Sequence, residues 1–187
     1  HLGRGSVEGF VERMNGQAER LGLVNSKFAN PHGLPALGHY SSAYDMSKLA
    51  RSLAADFPQY YPIYSLKEYP LGRKTLRNTN PLLRIDPSVD GIKTGYTRAA
   101  GYCLATSAKR DDLRLIVVGM GAPSSSARVR SLQSLIEYGF ATWRSSAVAR
   151  PETPVGEIAV SQGMSPKVGL VVQQPLMVTL PSTGVSL

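Results

Sequence analysis

The sequence predicts an α+β fold, with an antiparallel sheet flanked by helices and followed by the start of a small all-β domain. Three observations carry that reading. Three stretches repeat apolar residues at helical spacing. Alternating runs in the middle of the chain are joined by a charged turn, and residues 147–187 hold only short strand-like runs.

In residues 6–21, Val7, Phe10, Val11, Met14, Ala18 and Leu21 lie at helical spacing, and Gly22 follows as a C-cap. The stretch Asn30-Pro31-His32-Gly33-Leu34-Pro35, running on to Gly38-His39, is dense in turn formers and reads as an ordered loop. A second helix starts at Ser41 or Ser42, with Asp45 three residues after Ser42 in the manner of a capping box. It carries Met46, Leu49, Ala50 and Leu53 on one face and ends by Pro58. Residues 68–71 and 74–77, joined by Gly72-Arg73, read as a hairpin.

Residues 89–93, 101–108 and 113–121 read as strands. The last two are antiparallel neighbours across Lys109-Arg110-Asp111-Asp112. Ser124-Ser125-Ser126 offers capping hydroxyls to a third helix with the face Val129, Leu132, Leu135, Ile136 and Phe140. Residues 144–156, with two prolines and several small residues, read as a linker. Residues 157–160, 168–172 and 176–180 follow as short strands, too few to bury much core alone. The expected domains are therefore 1–146 and 147–187.

Composition excludes several function classes. An apolar share of 42% with 18% charged residues sustains a core and argues against disorder. No run approaches the roughly 18 apolar residues of a membrane span. A single cysteine, Cys103, rules out an internal disulfide framework and reads as a small buried residue. The three histidines lack cysteine or carboxylate partners at ligand spacing, so no metal is expected. The net charge of +8 raises nucleic acid, membrane headgroups or an anionic polymer as partners. Its clusters (Arg73, Lys74, Arg77 and Arg84; Arg128, Arg130, Arg144 and Arg150) are not interleaved with aromatics, so they read as solvated surface and nucleic acid is not expected. Neither end resembles a natural terminus, and the sequence reads as cut from a longer one with its targeting information missing.

One short motif carries chemistry. Lys93-Thr94-Gly95 ends a predicted strand after Asp90-Gly91-Ile92. Taken alone it is a strand closing in a glycine turn beside an exposed lysine. The same triplet is one of three motifs of the active-site serine β-lactamases and penicillin-binding proteins. Acyl transfer from a peptide ending in D-alanine needs an extended substrate, a fixed carboxylate and a polarised carbonyl. A strand edge pairs with an extended backbone, and Gly95 removes a side chain where that approach is closest. The Thr94 hydroxyl can donate to the carboxylate, and Lys93 brings positive charge near the reacting centre.

The run Asp90-Gly91-Ile92-Lys93-Thr94-Gly95-Tyr96-Thr97, followed by Ala100-Gly101-Tyr102, resembles the low-molecular-mass D,D-carboxypeptidases of the penicillin-binding protein 5 type. Phe28-Ala29-Asn30-Pro31-His32-Gly33-Leu34, Tyr40-Ser41-Ser42-Ala43-Tyr44-Asp45-Met46 and Asn78-Thr79-Asn80-Pro81-Leu82-Leu83 agree in order and spacing. The resemblance covers nearly the whole chain and implies a β-lactamase/transpeptidase-like fold. It implies a catalytic role for Lys93, and substrate-binding roles for Thr94, Gly95, Tyr96 (often histidine in relatives), Thr97 and Arg128. Arg128, at a helix N-terminus, matches a clamp for the substrate carboxylate. His32, Gly33 and Leu34 match a loop at the rim of the site, with His32 in loop packing rather than as a general base.

The resemblance further implies two-step acyl transfer on a peptidoglycan pentapeptide, covalent inhibition by β-lactam antibiotics, no cofactor, and a place in the bacterial periplasm at the outer face of the cytoplasmic membrane. The family's nucleophile lies in S-x-x-K and a second serine in S-x-N, and neither pattern occurs between His1 and Leu187. Both are expected in a missing N-terminal segment, so this chain alone is not expected to turn over substrate. A missing C-terminal helix would supply any membrane anchor. A class A β-lactamase is disfavoured because no Glu-x-x-x-Asn occurs. A D,D-endopeptidase of the same superfamily and a non-catalytic peptidoglycan-binding module stay open.

Overall fold

The computed structural model of the chain describes residues 5–183. These divide into two compact units, one formed by residues up to 109 and 114–136, the other by 110–113 and residues from 137 onward.

In the first unit, helix α1 (Val7–Arg20) starts on Ser6, whose hydroxyl accepts the Gly9 N–H at 2.9 Å. It ends as the sequence predicts. Gly22 takes φ +66°, which a side chain would strain. The Gly22 and Leu23 N–H groups then donate to the Glu19 and Ala18 carbonyls, both at 2.9 Å, closing a Schellman turn. Helix α2 (Ala43–Asp56) starts on Ser42, whose hydroxyl accepts the Asp45 N–H at 3.1 Å. The reciprocal half of the expected capping box does not form. Asp45 is fully buried, and its carboxylate accepts the Asn25 N–H and the Ser26 hydroxyl, each at 2.7 Å. The acid thus ties down the segment after α1, because those loop donors would otherwise be orphaned in the interior.

A 3₁₀ turn (Tyr61–Ser65) leads into the hairpin β1 (Glu68–Leu71) and β2 (Lys74–Arg77), in the predicted register across Gly72-Arg73. The short helix α3 (Leu82–Ile85) buries Leu82 and Leu83. The main sheet has the order β3-β4-β5, with β3 (Val89–Thr97) at its edge, β4 (Gly101–Arg110) in the centre and β5 (Leu113–Ala122) beyond. Strand β3 runs four residues past the predicted end. Lys93, Thr94, Gly95, Tyr96 and Thr97 each pair with a β4 residue, from Ala105 back to Gly101, so the triplet lies inside the strand. Cross-strand pairing here overrides the low strand preference of lysine and glycine.

One irregularity marks β3. Val89 pairs with Ala108 and Gly91 with Ser107, so Asp90 is an extra residue forming a bulge. A Cβ at Gly91 would meet the Tyr61 hydroxyl and the Tyr64 Cβ at 3.2 Å, so only glycine fits without displacement. The Gly91 carbonyl accepts from the Asn80 amide (2.9 Å) and the Thr106 hydroxyl (2.8 Å), both buried. Around this point Ala50, Tyr61 and Ile92 form a buried cluster with Leu53, Ala54, Tyr64 and Ile116 against it.

Helix α4 (Ser125–Thr142) begins beyond Ser124, whose hydroxyl accepts the Ala127 N–H at 3.0 Å. Its buried stripe is Arg128, Leu132 and Ile136, spaced i, i+4, i+8. Leu135, predicted on the inner face, is 48% exposed because it lies one residue off that stripe. Arg128 lies on that stripe, while Val129, predicted on the inner face, stands one residue off it.

In the second unit, β6 (Trp143–Ala149) pairs with β9 (Leu176–Pro181), and β7 (Gly156–Ala159) with β8 (Lys167–Leu170). The linker expectation therefore fails at residues 144–149, which are strand. Prolines occur only after it, at 151 and 154, and β9 supplies a full partner. Val171 and Val172 fall outside β8. Among the described residues, no helix is long and apolar enough to cross a membrane, and no group of three or more His, Cys, Asp or Glu could hold a metal ion.

Candidate active site

An open cleft of about 730 Å³ runs along β3 in the first unit. It is lined by Met14 of α1, the loop from Phe28 to His39, Thr79, the β3 segment 93–97, the start of β4 and Arg128 of α4. The residues singled out in the sequence meet here: His32, Gly33, Leu34, Lys93, Thr94, Gly95, Tyr96, Thr97 and Arg128 all line it. Its charged lining is Lys93 and Arg128, joined by His32 and His39, with no aspartate or glutamate. A second cleft of about 540 Å³ between α2 and β5 is also cationic. Two of its three cations are already engaged: Lys48 Nζ donates to the Gly22 carbonyl at 2.6 Å, and Arg114 pairs with Asp90 at 2.8 Å.

The loop wall is pinned from beneath. The Asn15 side chain on α1 donates to the Phe28 carbonyl and accepts the Phe28 N–H, both at 2.8 Å. The Asn30 side chain accepts the Gly33 N–H (2.8 Å) and donates to the Leu34 carbonyl (2.9 Å), while Gly33 turns the chain at φ +79°. His32 Nδ1 accepts the Leu34 N–H at 3.2 Å, and His39 Nδ1 accepts the Ala29 N–H at 3.3 Å. Each imidazole therefore spends one nitrogen on ordering the loop.

On the strand wall, Lys93 is exposed and its ammonium donates to the Thr94 carbonyl at 2.6 Å. The Thr94 hydroxyl lies 2.7 Å from that of Thr79. Among the described residues a Cβ at Gly95 would meet only Cys103 Cβ, at 3.9 Å, so the room beside Gly95 is open to the cleft. The Tyr96 ring lies on the Tyr102 ring with centroids 4.4 Å apart. The Thr97 hydroxyl accepts the Ala100 N–H at 3.0 Å and closes the turn into β4.

Arg128 is held rather than solvated. It is only 6% exposed, and it donates to the Cys103 carbonyl (3.0 Å) and the Ser125 hydroxyl (3.2 Å). Its guanidinium carbon lies 5.9 Å from the Tyr102 ring centroid. Its Nε is buried with no hydrogen-bond partner among the described residues. A buried unmatched donor is costly, so this guanidinium is left with unspent hydrogen-bonding capacity.

The sequence reading overlooked Thr79, Tyr102 and Cys103 as lining residues. Thr79 lies in a segment noted only for its resemblance, and Tyr102 closed another. Cys103 is not the buried residue expected. It pairs with Gly95 across the sheet and is half-exposed at the cleft. Strand alternation put the thiol beside the one position that has no side chain to cover it.

Comparison with known proteins identifies the family. Residues 1–124 match the sequence profile of the peptidase S11 family, described as D-alanyl-D-alanine carboxypeptidase. The chain is 37% identical over 179 residues to D-alanyl-D-alanine carboxypeptidase DacF of Bacillus subtilis, covering 93% of this chain and 46% of the relative. It is 37% identical over 178 residues to DacC of Escherichia coli, covering 95% and 44%. Penicillin binding protein 5 from Haemophilus influenzae superposes with a TM-score of 0.79 at 35% identity, over 96% of this chain and 53% of that one. The chain thus spans about half the length of the relatives it matches. With the family profile covering most of the chain and relatives aligned along nearly all of it, the chain belongs to the D-alanyl-D-alanine carboxypeptidase family.

Proposed function

We propose that the protein containing this chain is a serine D,D-carboxypeptidase that removes the terminal D-alanine from peptidoglycan stem peptides. One observation carries the reading: a cleft along an edge strand holds two cations and the paired hydroxyls of Thr79 and Thr94, and no carboxylate of the described residues lines it. Such a lining suits an extended peptide ending in a free carboxylate.

In this reading β3 offers main-chain groups to the extended peptide, with Gly95 allowing close approach. Thr94 and Arg128 hold the carboxylate, and Lys93 stabilises charge at the reacting carbonyl. Tyr96 and Thr97 border the peptide, while His32, Gly33 and Leu34 form the rim. A serine from the segment preceding this sequence attacks the carbonyl of the penultimate residue. D-alanine leaves with a proton, and water hydrolyses the acyl-enzyme. β-Lactams acylate the same serine, and no cofactor takes part. The protein works in the bacterial periplasm, at the outer face of the cytoplasmic membrane. Residues 1–146 belong to the catalytic domain and 147–187 begin a small β domain.

The test is covalent labelling of the natural protein by a fluorescent penicillin, together with release of D-alanine from a stem pentapeptide. Lys93→Ala is expected to lower acylation about 10²- to 10³-fold. Absence of label on the wild-type protein would overturn the reading. Cleavage of cross-linked dimers in preference to pentapeptides would instead favour a D,D-endopeptidase.

A further inference from the structure

We infer that Thr79 is a positioning residue that aims the hydroxyl proton of Thr94 into the cleft and so strengthens recognition of a carboxylate-terminated substrate. This rests on the reading of the cleft as a carboxylate site.

The two hydroxyl oxygens are 2.7 Å apart. A threonine hydroxyl has one proton and two acceptor lone pairs. Two hydroxyls sharing one hydrogen bond have only two arrangements. If Thr94 donates to Thr79, its own oxygen can only accept from a ligand. If Thr79 donates to Thr94, the Thr94 proton is released for a ligand. A carboxylate offers acceptors and no donor, so its binding selects the second arrangement. The chain then runs from the Thr79 O–H to the Thr94 O–H to the carboxylate, and each link polarises the next.

Thr79 is built to hold that place. The Asn78 side-chain amide donates to the Leu66 carbonyl at 3.0 Å, and the Asn78 oxygen accepts the Asn80 N–H at 2.9 Å. The Asn80 side chain, 1% exposed, donates to the Gly91 carbonyl and accepts the Leu82 N–H at 3.1 Å. Thr79 therefore sits between two anchored asparagines, one of them bonded to the same strand that carries Thr94. Among the described residues its own hydroxyl bonds to Thr94: both residues line the cleft, and neither is fully buried.

The geometry predicts an asymmetric effect of losing the hydroxyl. Thr79→Val keeps the shape and removes the donor, while Thr79→Ser keeps the donor. In the natural protein, acylation efficiency is measured with a D-alanyl-D-alanine peptide bearing a free carboxylate and with its C-terminal amide. Thr79→Val is expected to lower efficiency for the carboxylate about five- to tenfold, through KM rather than kcat, with less than about twofold change for the amide. Thr79→Ser is expected to match wild type on both.

Equal losses on both ligands, or no loss on either, would overturn the inference while leaving the carboxypeptidase reading intact. Wild-type protein that is not labelled by penicillin, or that shows no preference for the carboxylate, would overturn both.

Discussion

The Ser26 hydroxyl donates at 2.7 Å to the Asp45 carboxylate, so a side chain at the start of α2 anchors the segment that leaves α1. The same carboxylate oxygen accepts the Asn25 N–H, and the acid is fully buried. Asp45→Ala leaves both donors unmatched in the interior and is expected to cost about 3 kcal/mol. Asp45→Asn keeps an acceptor of the same shape and should cost roughly half as much. Urea unfolding at unchanged m-value checks both.

Gly91 admits no side chain without displacing Tyr61 or Tyr64, since an added Cβ lies 3.2 Å from each. Gly91→Ala is expected to destabilise the chain by about 1–3 kcal/mol through overpacking. The companion change Gly95→Ala meets only Cys103, at 3.9 Å, and should leave thermal unfolding nearly unchanged. A similar loss from both would show that space at Gly91 is not the limiting factor.

Burial raises the Tyr61 phenol above the ordinary value of 10.0, with Asp90 and Tyr64 adding and Arg114 and Ser107 opposing. Ser107 approaches the hydroxyl without meeting hydrogen-bond geometry, so the group stays unpaired. A raised value means the folded state holds this proton more tightly than the unfolded state. Its contribution is fully present below pH 10.0 and is lost as pH rises through the folded value. Tyr61→Phe should therefore unfold less readily than wild type under alkali, while differing by under about 0.5 kcal/mol at neutral pH. Melting curves across pH 9–12 test this, and identical alkaline slopes would refute it.

The Tyr102 ring contacts both the Tyr96 ring and the Arg128 guanidinium, at 4.4 and 5.9 Å. Both contacts use the ring face, so Tyr102→Phe is expected to change stability by less than about 0.5 kcal/mol. Tyr102→Ala should cost about 1–2 kcal/mol. Chemical denaturation of the two variants separates ring from hydroxyl.

Local chemistry made much of this fold readable. Ser6 and Gly22 bracket α1, Gly72-Arg73 sets the hairpin, and the Ser124 cap opens α4, because each acts through residues within a few positions of itself. What escaped the sequence depends on distant partners. The extension of β3 through Thr97 is set by β4, the strand at 144–149 by β9, and the partners of Asp45 by a loop twenty residues earlier. Arg128 was singled out by resemblance, but its burial under the Cys103 carbonyl required the sheet. Thr79 carried no signal, because a hydroxyl gains meaning only from the hydroxyl it faces.

The bulge absorbs the extra residue at Asp90, so from Gly91 onward each residue of β3 keeps regular register with β4. With a period of two, Lys93, Gly95 and Thr97 fall on one side of β3, and Thr94 and Tyr96 on the other. Removing one residue between Gly91 and Lys93, beyond the bulge, would exchange the two sets while leaving composition and hydrophobicity almost untouched. Lys93 would then point where Thr94 points now, and Tyr96 would leave Tyr102. This stretch should therefore tolerate changes of residue far better than changes of length. In that sense a single miscounted position upstream would silence the triplet as surely as mutating it.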